Sequence, residues 1–127
     1  MDRETASAAP EREYPRYPCE VREVFSGDDL VLFIDLGVEQ LWKRQRVRLH
    51  GVDTPNAVGE PATSPAGMVR EGVKRIARFR KGQFTVMSRN GTSWVGVLIV
   101  ERTGGSGVLN LNQHLIDQGH VYTGSKK

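Results

Sequence analysis

The chain has 127 residues, 38% of them hydrophobic and 26% charged, with a formal net charge of +3. That length fits one domain plus a tail, and the balance is that of an ordinary globular protein able to bury a core without disulfides or structural metal. No apolar run approaches the roughly 18 residues of a membrane span, and the first residues lack the hydrophobic segment of a signal peptide. The single cysteine, Cys19, excludes an intramolecular disulfide and a cysteine-built zinc site. A cytoplasmic monomer is expected.

Residues 1–18 are charged, proline-punctuated and nearly free of aliphatic side chains, and are expected to be a disordered N-terminal tail. The domain is expected over 19–122, and a basic C-terminal tail over 123–127. "CEVREVF", Cys19 to Phe25, reads as a first strand closed by the Ser26-Gly27-Asp28 turn. Asp29 to Leu36 is a second strand with an almost continuous apolar run, and Gly37 marks a turn. Gln40 to Val52 is a third. In it Val47 and Leu49 alternate with Arg46, Arg48 and His50, so Arg48 and His50 share the face opposite the apolar pair.

Residues 53–63 form a loop. Ser64-Pro65 then opens a helix, with a hydroxyl N-cap and proline at the first helical position. Val69, Val73, Ile76 and Ala77 fall on one stripe, so the helix is expected to run to about Arg80, with Gly82 ending it. "QFTVMSR" and "SWVGVLIVE" are two more strands joined at Asn90-Gly91. Arg102 to Gly107 is a flexible tip, and Leu109 to Gln118 a short helix with Leu111, Leu115 and Ile116 inward. The order βββ-α-ββ-α predicts a mainly β, α+β domain with two helices: a five-stranded barrel of OB type.

Basic residues gather at Lys43–Arg48 and Arg78–Lys81, a pattern compatible with a polyanion partner. Trp42 and Trp94 could stack bases or simply pack. Three short elements then line up: "SGDD" after the first strand, "RVRLHGVDTP" at the third, and a helix after the next loop. Together they resemble the staphylococcal nuclease (thermonuclease) family over about Cys19 to Tyr122, with Arg48 at the family's spacing before Asp53. The resemblance implies that Asp28 and Asp53 offer carboxylates, and Thr54 its backbone carbonyl, to Ca²⁺. It implies too that Arg48 offers a two-pronged donor to phosphate. Lys43, Arg46, Arg48 and His50 form the expected nucleic-acid-binding set.

The chain departs from the family where catalysis is done. Asn56 stands where the family has the glutamate read as general base, and an amide cannot take a proton from water. Val95 stands where a second arginine is expected, Ser26 replaces the first acid of the Asp-Gly-Asp-Thr run, and Asp29 its threonine. Glu60, four residues past Asn56, is the residue that could replace the base, and Arg46 or Arg89 the missing arginine. The expectation is a degenerate catalytic set: a domain that binds DNA or RNA backbone, with little or no phosphodiesterase activity and calcium binding weak or lost. The alternatives are an active Ca²⁺-dependent nuclease using Glu60 or water alone, and a protein-interaction module.

Overall fold

Runs of aliphatic and β-branched residues cut by turn residues make strands, and strands that can close on themselves leave no exposed edge. The computed structural model describes residues 14–102 and 107–121. In chain order it contains β1 (Arg16–Ser26), β2 (Asp29–Asp35), β3 (Trp42–Leu49), α1 (Pro65–Ala77), β4 (Lys81–Asn90), β5 (Ser93–Glu101), β6 (Val108–Asn110) and α2 (Leu111–Asp117). The sheet order is β3-β2-β1-β4-β5-β6, and β3 also pairs with β5 in parallel. Five strands therefore close into a barrel, mainly β with two helices, as expected for an OB-type fold. The sixth, β6, is a three-residue addition on β5.

β1 serves two neighbours. Its first half pairs with β4, from Arg16↔Thr85 to Glu20↔Lys81, and its second half with β2. Register breaks at Val21/Glu23 and Val24/Ser26 bend it around the barrel. Inside lie Val21, Val24, Leu30, Leu32, Ile34, Val47, Leu49, Phe84, Leu98 and Val100, capped by Val73 and Ala77 of α1 and by Leu111 and Leu115 of α2.

Several boundaries differ from expectation. β1 begins at Arg16, inside the stretch read as a tail, because Tyr17 packs on the core beside Trp94, ring centroids 5.7 Å apart. Residues 1–13, 103–106 and 122–127, which hold the rest of that tail, part of the flexible tip and the basic C-terminal tail, lie outside the described residues. Helix α1 starts as predicted, with the Ser64 hydroxyl accepting from the Gly67 N–H at 3.0 Å and Pro65 in the first turn. It stops at Ala77, however, and Gly82 lies in β4 rather than at the helix end. A Cβ on Gly82 would collide with the Ile99 carbonyl of the adjacent strand, so that glycine answers to close packing and not to helix termination. The β4–β5 hairpin closes at the Asn90↔Ser93 pair, with Gly91 (φ 64°) at the first central position as a II′ turn requires.

A buried amide braces the barrel. Asn112 of α2 donates from Nδ2 to the carbonyls of His50 (2.9 Å) and Gly96 (3.0 Å), and its Oδ1 accepts from the Leu98 N–H at 2.9 Å. One side chain thus serves the end of β3 and the middle of β5.

Cys19 is buried, and burial alone pushes its thiol from 9.0 up to about 12. At pH 8 it is expected to resist alkylation in the native protein and to react once denaturant is added, as mass spectrometry can follow. The folded state favours the protonated thiol. Its contribution to stability is therefore full below pH 9 and fades as pH rises from 9 toward 12. Native alkylation as fast as that of the unfolded chain would contradict this burial.

Candidate functional site

The β1–β2 turn places Ser26, Asp28 and Asp29 at one rim of the barrel. β3 brings Arg46 and Arg48 beside them, and the loop after β3 supplies Thr54, Asn56 and Val58. Together these line a cleft of about 310 Å³. The register explains the meeting: Asp29 lies opposite Arg48 in the β2–β3 pair, and strand alternation turns Arg46 and Arg48 outward while Val47 and Leu49 point into the core. The loop is held by a bond from the Ala57 N–H to the Ser26 hydroxyl at 2.9 Å. Gly27 packs so closely on Thr54 and Val69 that a Cβ there would stand 2.8 Å from side-chain carbons of both.

The charges are already paired. The side chain of Asp28 is only 5% exposed; its Oδ2 accepts from Arg48 Nη2 at 3.3 Å. Its Oδ1 accepts from the Thr54 hydroxyl at 2.9 Å, whose oxygen in turn accepts from the Asp28 N–H at 3.2 Å. Asp29 grips Arg46 with both oxygens, at 2.9 and 2.7 Å, while the guanidinium carbon lies 4.8 Å from the Phe25 ring centre. The bond to Asp29 holds the Arg46 pKa above its ordinary value. Arg46 is thus committed on two sides. Arg48 is held less firmly: its side chain is as exposed as that of Arg46, but its bond to Asp28 is single and long.

Arg48 also borders a second hollow, of about 530 Å³, lined with Asp28, Leu49, His50, Gly51, Val52, Asn90 and Val95. Val95 is the direct register partner of Arg48 in the parallel β3–β5 pair. An aliphatic side chain therefore stands beside Arg48 where the resemblance implies a second arginine.

Asp28, Arg46, Arg48, Thr54 and Asn56 are brought together, and His50 is next door with Arg48 between. Other expected members fall elsewhere. Asp53 is half-buried and not among the residues lining either hollow; its N–H donates to the His120 carbonyl at 3.0 Å. Glu60 is exposed and lines neither hollow, and its loop is clamped by Arg70, whose Nη1 donates to the carbonyls of Ala57 (2.8 Å) and Glu60 (2.9 Å). Lys43 sits on the face of β3 that carries Gln45, Val47 and Leu49, opposite Arg46 and Arg48. Arg89 is exposed and pairs in register with Trp94. Asn56 has local work, its Oδ1 accepting from the Val58 N–H at 3.1 Å in an Asx turn.

The sequence reading missed the Phe25–Arg46–Asp29 stack and the Arg70 clamp. The first is diagonal to the register, which sets Asp29 opposite Arg48 and Arg46 opposite Val31. The second joins residues that no spacing rule connects.

A calcium ion takes six to eight oxygens, several of them carboxylate. Here the two cleft carboxylates, Asp28 and Asp29, are each tied to a guanidinium. Among the described residues no group of three or more His, Cys, Asp or Glu gathers as a metal set. The donor arrangement does not fit calcium.

Fold and site together define an OB-type barrel with a charge-paired cleft at its β1–β2 turn. A scan against protein-family models finds no match, and a search of curated proteins finds none. Among the described residues no helix is long and apolar enough to cross a membrane.

Proposed function

We propose that this chain is a staphylococcal-nuclease-like barrel that holds the phosphate backbone of DNA or RNA at Arg48, with little or no phosphodiesterase activity. The observation that carries the reading is the half-exposed Arg48 side chain, bordering two hollows with one long bond to a buried carboxylate. A phosphate can take the remaining N–H groups while Asp28 keeps the guanidinium oriented. Asn56 in the same cleft cannot serve as general base, and that loss alone is worth about 10²–10⁴ in rate. The two carboxylates in the cleft, Asp28 and Asp29, are each already paired with an arginine.

Mobility shift with single- and double-stranded DNA and RNA, in calcium and in chelator and across a salt series, tests this. Salt-dependent binding without cleavage is expected. Arg48→Gln should weaken binding several-fold and lower the salt slope by about 1. Asp28→Asn should tighten it, because the competing carboxylate charge is gone. Robust calcium-dependent cleavage would instead favour the active-nuclease alternative. The protein-interaction alternative draws on the β2–β3 hairpin, which leaves Val38, Leu41 and Trp42 exposed. It gains if no nucleic acid is bound.

A further inference from the structure

A second feature lies where α1 passes into β4. Arg78 (φ −61°, ψ 133°) and Phe79 (φ 66°) form the central pair of a type II turn closed by the Arg80 N–H on the Ala77 carbonyl at 2.9 Å. The second central position of such a turn belongs to glycine, and a bulky aromatic there is a backbone outlier. β1 pins the turn on both sides: the Phe79 N–H donates to the Val21 carbonyl at 2.7 Å, and the Val21 N–H to the Arg80 carbonyl at 2.9 Å. Yet the ring is not inserted in the core, since Phe79 is 57% exposed.

What the ring touches is cationic. Arg78 lies 4.7 Å from its centre and Arg22 5.7 Å, and Arg22 also lies 4.6 Å from the centre of Phe33. Phe33, Arg22, Phe79 and Arg78 thus form an alternating ladder of rings and guanidinia on the outer surface. Loose contacts of 3.7 Å to Glu20 and Glu23 steady the two arginines. Arg80 and Lys81 follow directly in the chain, so cations outnumber the two acids.

We propose that this ladder is a stacking platform for unpaired bases, making the chain a binder of single-stranded nucleic acid in preference to duplex. The inference rests on the backbone-binding reading and adds a contact distinct from Arg48. A strand supplies phosphates for guanidinia and flat faces for rings at alternating positions, whereas the bases of a duplex are already stacked on each other. A strained Phe at a glycine position, kept exposed and flanked by arginines, is suited to that partner more than to packing.

The test compares a 20-nucleotide single strand with the matching duplex at fixed salt, for the wild-type chain, Phe79→Gly, Phe79→Ala and Phe79→Trp. Wild type is expected to prefer the single strand by at least about 5-fold. Both small substitutions should weaken single-strand binding about 5- to 100-fold, leave duplex binding little changed, and be rescued by tryptophan. Phe79→Gly should melt about 4–8 °C above Phe79→Ala, as the turn conformation requires; this keeps a folded variant in hand. Wild-type binding that ignores strandedness, or single-strand binding untouched in Phe79→Gly, overturns the platform alone. Absence of binding to either nucleic acid overturns both this and the backbone reading.

Discussion

Asn112→Ala is expected to lower stability by about 3–5 kcal/mol, seen as a fall in the urea midpoint at unchanged slope. The substitution removes a partner from three backbone groups: the buried Leu98 N–H and Gly96 carbonyl, and the part-buried His50 carbonyl. Each buried group left without a partner costs about 1–3 kcal/mol. The part-buried His50 carbonyl can turn to water, which keeps the total below the sum. The Gly96 carbonyl also accepts from the His50 N–H at 2.7 Å, so it retains one bond. Asn112→Asp should be worse than alanine, because it trades two donated bonds for a negative charge facing two carbonyl oxygens. A loss below about 1 kcal/mol would mean that solvent replaces the amide and that α2 does not brace the barrel.

Gly96→Ala is expected to cost about 3 kcal/mol or more. A Cβ there would be driven into the Thr85 carbonyl and would stand 3.1 Å from the Phe84 ring, and backbone and fully buried ring have little room to yield. The position is crowded because Gly96 pairs on one side with Val86 of β4 and on the other with Leu49 of β3. Gly91→Ala is the control. It has nothing within 4 Å of an added Cβ and only a left-handed backbone at φ 64° to disturb, so about 1 kcal/mol is expected. Comparable losses at the two positions would show that β4 and β5 can separate freely. Close approach of three strands is what requires glycine at position 96.

Much of this was readable from residue pattern. Period two turned Val47 and Leu49 inward and Arg46 and Arg48 outward, and the structure has them so. The Ser64-Pro65 start followed from capping chemistry. The errors came from residues whose type fits two causes. Gly82 resembles a helix stop, but the stop is made by Phe79 in a turn that glycine normally occupies, while Gly82 makes room for Ile99. Tyr17 and Pro18 look like tail residues because prolines punctuate them, yet they pair with Phe84 and Gln83. At the site, spacing along the chain names which residue types arrive, not what they do on arrival. The family resemblance grouped Asp28, Asp53 and Thr54 with Arg48; Asp28, Arg48 and Thr54 line one cleft, and Asp53 is not among its lining residues. Spacing was silent on the grip of Asp29 on Arg46 and on the Asx turn that occupies Asn56, because hydrogen-bond partners are chosen by three-dimensional competition. Glu60 shows the same limit: four residues from Asn56 in sequence, it belongs to a loop anchored to Arg70 of the helix.

The barrel closes through Val47–Trp94, Arg48–Val95 and Leu49–Gly96. The middle fastener of that zip is the residue whose side chain is proposed to hold phosphate. Its main chain and side chain therefore serve one equilibrium, since thermal breathing that parts β3 from β5 also opens the second hollow, which Arg48 shares with Val95. A bound polyanion should suppress such breathing by mass action and raise the melting temperature with ligand concentration. Amide exchange at the seam would slow first, so occupancy at Arg48 can be read from backbone protons rather than from any reaction product.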